Sequence, residues 1–452
     1  LPDKPASTAG GALAREAVLH SDIVIVGGGA GGLELACKLG RKLGPSKVML
    51  VDSRLYHVWK PSLHEVAAGT LDIHQEGLSY QMLAHDSGFT FVYGAMTGLD
   101  TAGKTLAVAP VKAASDGEEI LPERRIGYDA LVIAVGSTSN YFGVPGAREN
   151  TISLNATEDA ERFRLRLLRL LAQAEQNKED GDARSGLDIV IIGGGATGVE
   201  LAAELREASG VYAAYGFNRL QVQRDVRITL LEGAPRILAP LPERVSGAAL
   251  RLLEQRAIKV VTDCRVTGIE KHQVSDSKGH VYPADLCVWA AGIRAPEFLG
   301  SLGLPTAKGG QIEVDGHLRV KDVPAVYALG DCAACTDGKG KPVPPRAQAA
   351  HQQADYLVKT FMNMASGHPP PKDPYVYRDY GSLVSIGRQT TVGSLMGSLR
   401  GASMFVEGFM ARMMYMSLHL MHHQALLGSL RTGVMAIARF LIRRTTPLVK
   451  LH

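Results

Sequence analysis

Ile23-Val24-Ile25-Val26-Gly27-Gly28-Gly29-Ala30-Gly31-Gly32-Leu33-Glu34 is a β-branched apolar run that breaks into glycine and resumes as a helical pattern. Farther along, Ile189-Val190-Ile191-Ile192-Gly193-Gly194-Gly195-Ala196-Thr197-Gly198-Val199-Glu200 repeats the arrangement. Both set G-x-G-x-x-G between a strand and a helix, the context in which that spacing marks a dinucleotide site. The first glycine of each (Gly27, Gly193) suits the tight turn. The second (Gly29, Gly195) lets the backbone approach a pyrophosphate, and the third (Gly32, Gly198) lets helix pack closely on strand. Ala30-Gly31 and Ala196-Thr197 open helices whose free N–H groups face the phosphates. A lone motif is a weak signal. Two in the same frame predict a chain that binds two dinucleotides.

Each unit continues consistently. Val48-Met49-Leu50-Val51-Asp52 reads as the next strand and ends on an acid 20 residues beyond Gly32, where a carboxylate accepts hydrogen bonds from a ribose. Val226 to Glu232 does the same 34 residues beyond Gly198, so an insertion around Tyr212–Gly216 must loop out or lengthen the helix. An acid at Glu232 suits a free 2′-hydroxyl and repels a 2′-phosphate, which favours NADH over NADPH despite Arg236 nearby.

A length of 452 residues allows two or three domains, and a hydrophobic fraction of 46% supplies their cores. The five cysteines are scattered and odd in number, which fits a reducing compartment better than a disulfide framework. Residues 1–20 lack the apolar core of a signal peptide and read as a loose tail. No run is long and apolar enough to span a bilayer. The net charge of +4 is placed unevenly. After residue 400, Arg412, Arg431, Arg439, Arg443, Arg444 and Lys450 face only Glu407. Neither a nucleic-acid partner nor a metal site is expected.

The expected fold class is α/β: two Rossmann-like dinucleotide-binding domains, the first discontinuous and the second inserted into it, followed by C-terminal amphipathic helices. The boundaries are a tail over 1–20, the first domain over 21–150, the inserted domain over 151–314, the return of the first over 315–395, and the helices over 396–452. The strands ending at Ala134-Val135-Gly136 and at Ala290-Ala291-Gly292 mirror each other, one motif set used twice. Val326 to Leu329 reads as a strand that breaks at Gly330, with Asp331 at the N-cap of a helix starting near Cys332.

Together these residues resemble the two-dinucleotide-binding-domain flavoproteins over about 21–390. The closer likeness is to type II NADH:quinone oxidoreductases, the single-subunit, non-proton-pumping enzymes of bacterial respiratory chains. It rests on Trp59-Lys60-Pro61 with His64-Glu65, Gly195 to Glu200, Trp289 to Ile293, Ala347 to Gln353, Gly381 to Gly387 and the basic, Met-rich C-terminus. The resemblance implies non-covalent FAD in the first site, NADH in the second, a membrane quinone as acceptor and a homodimer. It places Gly330 and Asp331 on the flavin's ribityl chain, with Lys60, Ala134, Gly136, Gln348 and Ala349 also lining the FAD site. Ala291 and Gly292 line the NADH site. Glu200 falls near the nicotinamide–flavin contact. Gln348 and Gln352, four apart on one helix face, meet the quinone head, since amides donate to a carbonyl without carrying charge into an apolar tunnel.

Other readings remain on the same fold: sulfide:quinone or ferredoxin-type reduction, a redox disulfide at Cys332-Ala333-Ala334-Cys335, or a nucleotide sensor with little turnover. The cysteine distribution weighs against the disulfide chemistries. From about Phe405 to Arg444 the sequence reads as two amphipathic helices, with stripes Phe409, Met413, Met416, Leu420 and Val434, Ile437, Leu441. Seven of the 13 methionines fall after residue 400. A basic, flexible apolar stripe of this kind lies in a membrane interface. The expectation is therefore monotopic docking on the cytoplasmic membrane face.

Overall fold

The structure is a computed structural model that describes residues 19–179, 186–338, 340–387, 390–396, 403–442 and 449–450. Most of the expected tail lies outside them, and Leu19 and His20 already belong to the first strand.

The first unit contains β1 (Leu19–Val26), α1 (Ala30–Leu43), β2 (Val48–Asp52), β3 (Thr90–Tyr93) and β4 (Arg124–Ile133). Between β2 and β3 the chain forms short helices that include α2 (Leu63–Ala68) and α3 (Ile73–Glu76), and then a further helix over Tyr80–Ser87. The parallel order is β3-β2-β1-β4. Buried on both faces, β1 is apolar from Ile23 to Val26, as a strand covered on two sides must be. Besides β1, β4 serves two neighbours along its other edge. Its Arg124–Gly127 half pairs antiparallel with Thr105–Val108, and Leu131–Ile133 pairs in parallel with a strand that returns from far down the chain.

The inserted unit has β5 (Ile152–Ser153), α4 (Thr157–Glu179), β6 (Leu187–Ile192), α5 (Ala196–Gly216), β7 (Val226–Leu231), β8 (Ile258–Val261) and β9 (Leu286–Trp289). Its sheet is parallel in the order β5-β9-β6-β7-β8. Half of the extra spacing before Glu232 is absorbed by helix: α5 has 21 residues where α1 has 14. Two short strands, Thr138–Ser139 and Ile293–Arg294, pair antiparallel where the chain enters and leaves this unit.

The returning strand is β10 (Val326–Ala328). After it, α6 (Ala347–Ala365) lies on α1 so closely that a Cβ on Gly31 would stand 2.8 Å from the Ala350 carbonyl oxygen. β11 (Gly381–Ser385), β12 (Thr391–Met396) and β13 (Ser403–Glu407) form one antiparallel sheet, followed by α7 (Phe409–Leu427) and α8 (Ser429–Ile442). Two expectations change here. The 395/396 boundary runs through this sheet, and the tail helices begin at 409 because Phe405–Glu407 pair with β12.

Candidate functional site

The two glycine turns are near copies. Gly27 and Gly193 hold φ of +103° and +113°, which side chains rarely tolerate. A Cβ on Gly32 would lie 2.0 Å from Gly27 O, and one on Gly198 1.9 Å from Gly193 O. In front of each helix the space is open. A Cβ on Gly195 would meet nothing within 4 Å, and one on Gly29 only Ala134 O at 3.9 Å. Exposed amides at a helix N-terminus facing open space fit a pyrophosphate. The acids act alike too. Gly28 N–H donates to Asp52 Oδ2 at 2.6 Å, and Gly194 N–H donates to Glu232 Oε2. Burial pushes the Asp52 carboxyl up. Glu232 also accepts from Ala234 N–H at 2.7 Å. The Arg236 guanidinium is spent on the carbonyls of Leu238, Ala239 and Leu241, within its own loop.

Above the first turn, the C-terminal ends of β4 and β10 gather Ala134, Gly136, Ser137, Gly330 and Asp331. Ser137 Oγ donates to Asp331 Oδ2 at 2.7 Å, and Lys60 Nζ donates to Ser137 O at 3.0 Å. Burial lowers the Lys60 pKa, with Asp331 opposing. Asp331 is not a helix N-cap, however. Gly330–Cys332 is a single 3₁₀ turn preceded by Leu329, and the chain leaves it extended because Ala333–Ala334 pair with Ile312–Glu313. The turn is held instead by Gln353, whose Oε1 accepts from Gly330 N–H at 2.7 Å. Gln353 is buried and was missed, since spacing alone cannot rank it above Gln352. Ala349, also buried, sits in the first turn of α6.

In the second site, Gly292 has φ +68° and a Cβ there would strike the Phe142 ring. Trp289 Nε1 donates to Ala291 O at 2.7 Å and to Asn140 O at 2.8 Å, tying the end of β9 to the crossover between the units.

Glu200, on α5, is buried where α2, β11 and α7 converge. Ser385 N–H donates to its Oε1 at 2.9 Å, and His64 Nδ1 stands 3.7 Å from Oε2. Burial pushes its carboxyl up to about 7, against the opposing influence of His64. One turn on, Glu204 accepts from Thr70 Oγ1 at 2.5 Å. Tyr415 of α7 has its phenol pushed well up, first by burial and then by the charges of Glu200, Glu65 and Glu204.

Gln348 and Gln352 share a face of α6 as expected, but both amides engage the backbone of residues 378–381. Gln352 accepts from Arg378 N–H at 2.9 Å and donates to Arg378 O at 2.8 Å. Gln348 donates to Gly381 O at 3.1 Å and accepts from Tyr380 N–H at 3.3 Å.

His57 and His422 went unread in the sequence. His57 Nδ1 lies 3.0 Å from Gly28 O, and its Nε2 lies 2.9 Å from Nε2 of His422 on α7. Tyr80 Oη donates to the same Gly28 oxygen at 2.8 Å. Residues so distant in sequence carry no shared local signal.

The family model described as pyridine nucleotide-disulphide oxidoreductase matches residues 21–354. The type II NADH:quinone oxidoreductase of Haemophilus influenzae is 37% identical over 446 residues, covering 95% of this chain and all of that one. The chain belongs to the type II NADH:quinone oxidoreductases. It is a flavoprotein enzyme that oxidises NADH with a quinone, with FAD and NADH as its cofactors. A Mycobacterium tuberculosis type II NADH:quinone oxidoreductase is 27% identical over 88% of the chain and 83% of its own length. Among solved structures, NDH2 from Plasmodium falciparum in complex with NADH shares the fold, with TM-score 0.78 at 20% identity over 95% of this chain and 99% of that one.

Two further features of this type II enzyme bear on the sequence reading, and only the second departs from it. All five cysteines are free and buried. Burial pushes the Cys332 thiol up to about 12 and that of Cys335 up to about 11, opposite to a reactive thiolate. The basic tail is also less free than its sequence suggests. Lys450 Nζ pairs with Asp72 at 3.1 Å and Arg431 pairs with Asp86, while Arg443 and Arg444 lie outside the described residues.

Proposed function

We propose that the two nucleotide cradles and Glu200 work as one path, from NADH in the second site through FAD in the first to a quinone beside α6 and α7. When bound, FAD supplies the chemistry of accepting a hydride and releasing two electrons. The chain supplies the rest. Asp52 and Glu232 hold the glycine turns and present carboxylates to the riboses. Lys60, Ser137 and Asp331 form a polar clasp for the ribityl chain. Converting NADH and quinone to NAD⁺ and quinol consumes one proton beyond the hydride. Glu200, with its carboxyl near pH 7 and Oε2 toward His64, can hold that proton next to the reacting groups. This raised, buried carboxyl is the observation that carries the proposal. Gln348 and Gln352 fix the 378–381 segment as a wall of the quinone site.

Anaerobic stopped-flow tests the division of labour. Glu200→Gln should bleach with NADH at close to the native rate, then reoxidise slowly with quinone and lose any inflection near pH 7. Native reoxidation by that variant with the pH profile unchanged would remove Glu200 from the path.

Docking of α7 and α8 on the cytoplasmic membrane face belongs to the same proposal. Among the described residues no helix is long and apolar enough to cross a membrane. Yet Leu430, Val434, Ile437 and Leu441 of α8 are all more than half exposed, as are Met410 and Met421 of α7. An apolar face of this kind suits a lipid surface that holds the quinone. The resemblance to the family supports a homodimer.

A further inference from the structure

α7 carries three histidines in its last turns, and only His422 points to the flavin cradle. His419 and His423 sit four apart, one turn of helix, with ring centroids 4.5 Å apart. Against them stands Glu76, at the end of α3 in the first unit. One ligand atom from each of the three lies within 4.8 Å of the others. Around a tetrahedral ion with bonds near 2.1 Å, ligand atoms sit about 3.4 Å apart, so side-chain rotation could close the set.

The second shell is in place. His423 Nδ1 lies 3.0 Å from the His419 carbonyl oxygen. A carbonyl can only accept, so Nδ1 carries the proton and Nε2 carries the lone pair. This is how a metal-binding imidazole is usually oriented. The three groups also line a small recess shared with His57 and Trp59. A second acidic–histidine cluster, Glu34, His351 and Asp355, holds the Lys38 ammonium between Glu34 and Asp355.

We propose that Glu76, His419 and His423 form a site for a divalent first-row transition cation of zinc-like preference, with one coordination position left to water. Two imidazoles and a carboxylate match that class better than Ca²⁺ or Mg²⁺, which take oxygen ligands. The cation would staple α7 to the first unit. Because His422 lies between the two ligands on the same turns, the staple would also fix the His422–His57 contact that ends on Gly28 O. Nothing in the sequence reading anticipated a metal, since α3 and α7 lie at opposite ends of the chain.

The test uses the untagged, FAD-loaded enzyme dialysed against ZnCl₂ alone, with bound zinc measured by elemental analysis. Wild type should keep about one zinc per chain more than His419→Gln/His423→Gln, and Glu76→Gln should bind at least tenfold more weakly. Zinc should raise the Tm of wild type and not of the double variant. With Co²⁺ as the probe, wild type should show a visible ligand-field band that the double variant lacks. FAD content and circular dichroism confirm that each variant is folded. If the double variant folds but cannot be kept loaded, His419→Gln alone, whose side chain is only partly buried, serves in its place. Equal zinc content, Tm response and cobalt spectrum in wild type and folded variant would overturn the proposal.

Discussion

His57 and His422, at opposite ends of the chain, share a hydrogen bond between their Nε2 atoms at 2.9 Å. Gly28 O can only accept, so His57 donates to it through Nδ1 and must accept from His422 at Nε2. The chain of donors therefore runs from α7 to the first nucleotide turn, and both rings are neutral. Burial lowers the His57 pKa to about 4 and that of His422 well below its usual value. A folded-state pKa below 6.5 means the folded state binds fewer protons. The stability that depends on neutral His57 is thus present above pH 6.5 and lost as pH falls toward 4. His422→Ala should cost about 1–3 kcal/mol by stranding His57 Nε2, and should weaken FAD retention. A double-mutant cycle with His57→Ala, read by urea unfolding, should show coupling. Simple additivity would sink the contact.

The two glycine cradles should be separable. Gly32→Ala drives a methyl into Gly27 O at 2.0 Å, and should give colourless protein without FAD. Gly198→Ala does the same in the second site, at 1.9 Å from Gly193 O. That variant should stay yellow but fail to bleach with NADH. Flavin absorbance before and after anaerobic NADH distinguishes the two, and a yellow Gly32→Ala protein would contradict the assignment.

Glu200 should act on stability in the opposite sense to His57. Its carboxyl is raised from 4.5 to about 7, so the folded state holds the extra proton. The associated stability is present below pH 4.5 and lost as pH rises through 7. Glu200→Gln should therefore be more stable than wild type above pH 7, by up to about 3 kcal/mol, while quinone turnover falls. Thermal melts at pH 5 and pH 8 check the sign: the gain should appear only at the higher pH.

Removing Gln352 releases both polar groups of Arg378. Two lost hydrogen bonds are worth about 1.4 kcal/mol or more, so Gln352→Ala should slow quinone reduction roughly tenfold. Flavin bleaching by NADH should change less than about twofold. Equal impairment of both half-reactions would mean that Gln352 supports the flavin.

The exposed stripe on α8 offers a milder test of membrane docking than truncation. Deleting α7 would remove the buried side chains of His422, His423 and Leu426, and so destabilise the fold itself. Val434→Ser, Ile437→Ser and Leu441→Ser together should reduce partition into lipid vesicles about 100-fold, at roughly 1 kcal/mol per side chain. FAD content should be unchanged, and activity with long-tailed quinones should fall more than with short-chain analogues. Undiminished vesicle binding by the triple variant would place the docking surface elsewhere.

The sequence by itself determined the two cradles. A strand, a G-x-G-x-x-G turn and an acid-ended second strand are local, and glycine is dictated where a Cβ would strike backbone, as at Gly32 and Gly198. The α/β class, the inserted unit and the family followed from those residues. Only the tertiary structure decided what the distant parts do. Asp331 looked like a helix cap because helix N-caps and 3₁₀ turns share their local residues, and pairing of Ala333–Ala334 with Ile312–Glu313 settled the matter. Lys450 and Arg431 read as lipid-facing charges until the fold brought Asp72 and Asp86 to them. The near-neutral Glu200 carboxyl depends on burial by three separate elements, and the His57–His422 contact on α7 returning to the first unit. Burial and long-range pairing are properties of the packed chain, so no spacing along the sequence encodes them.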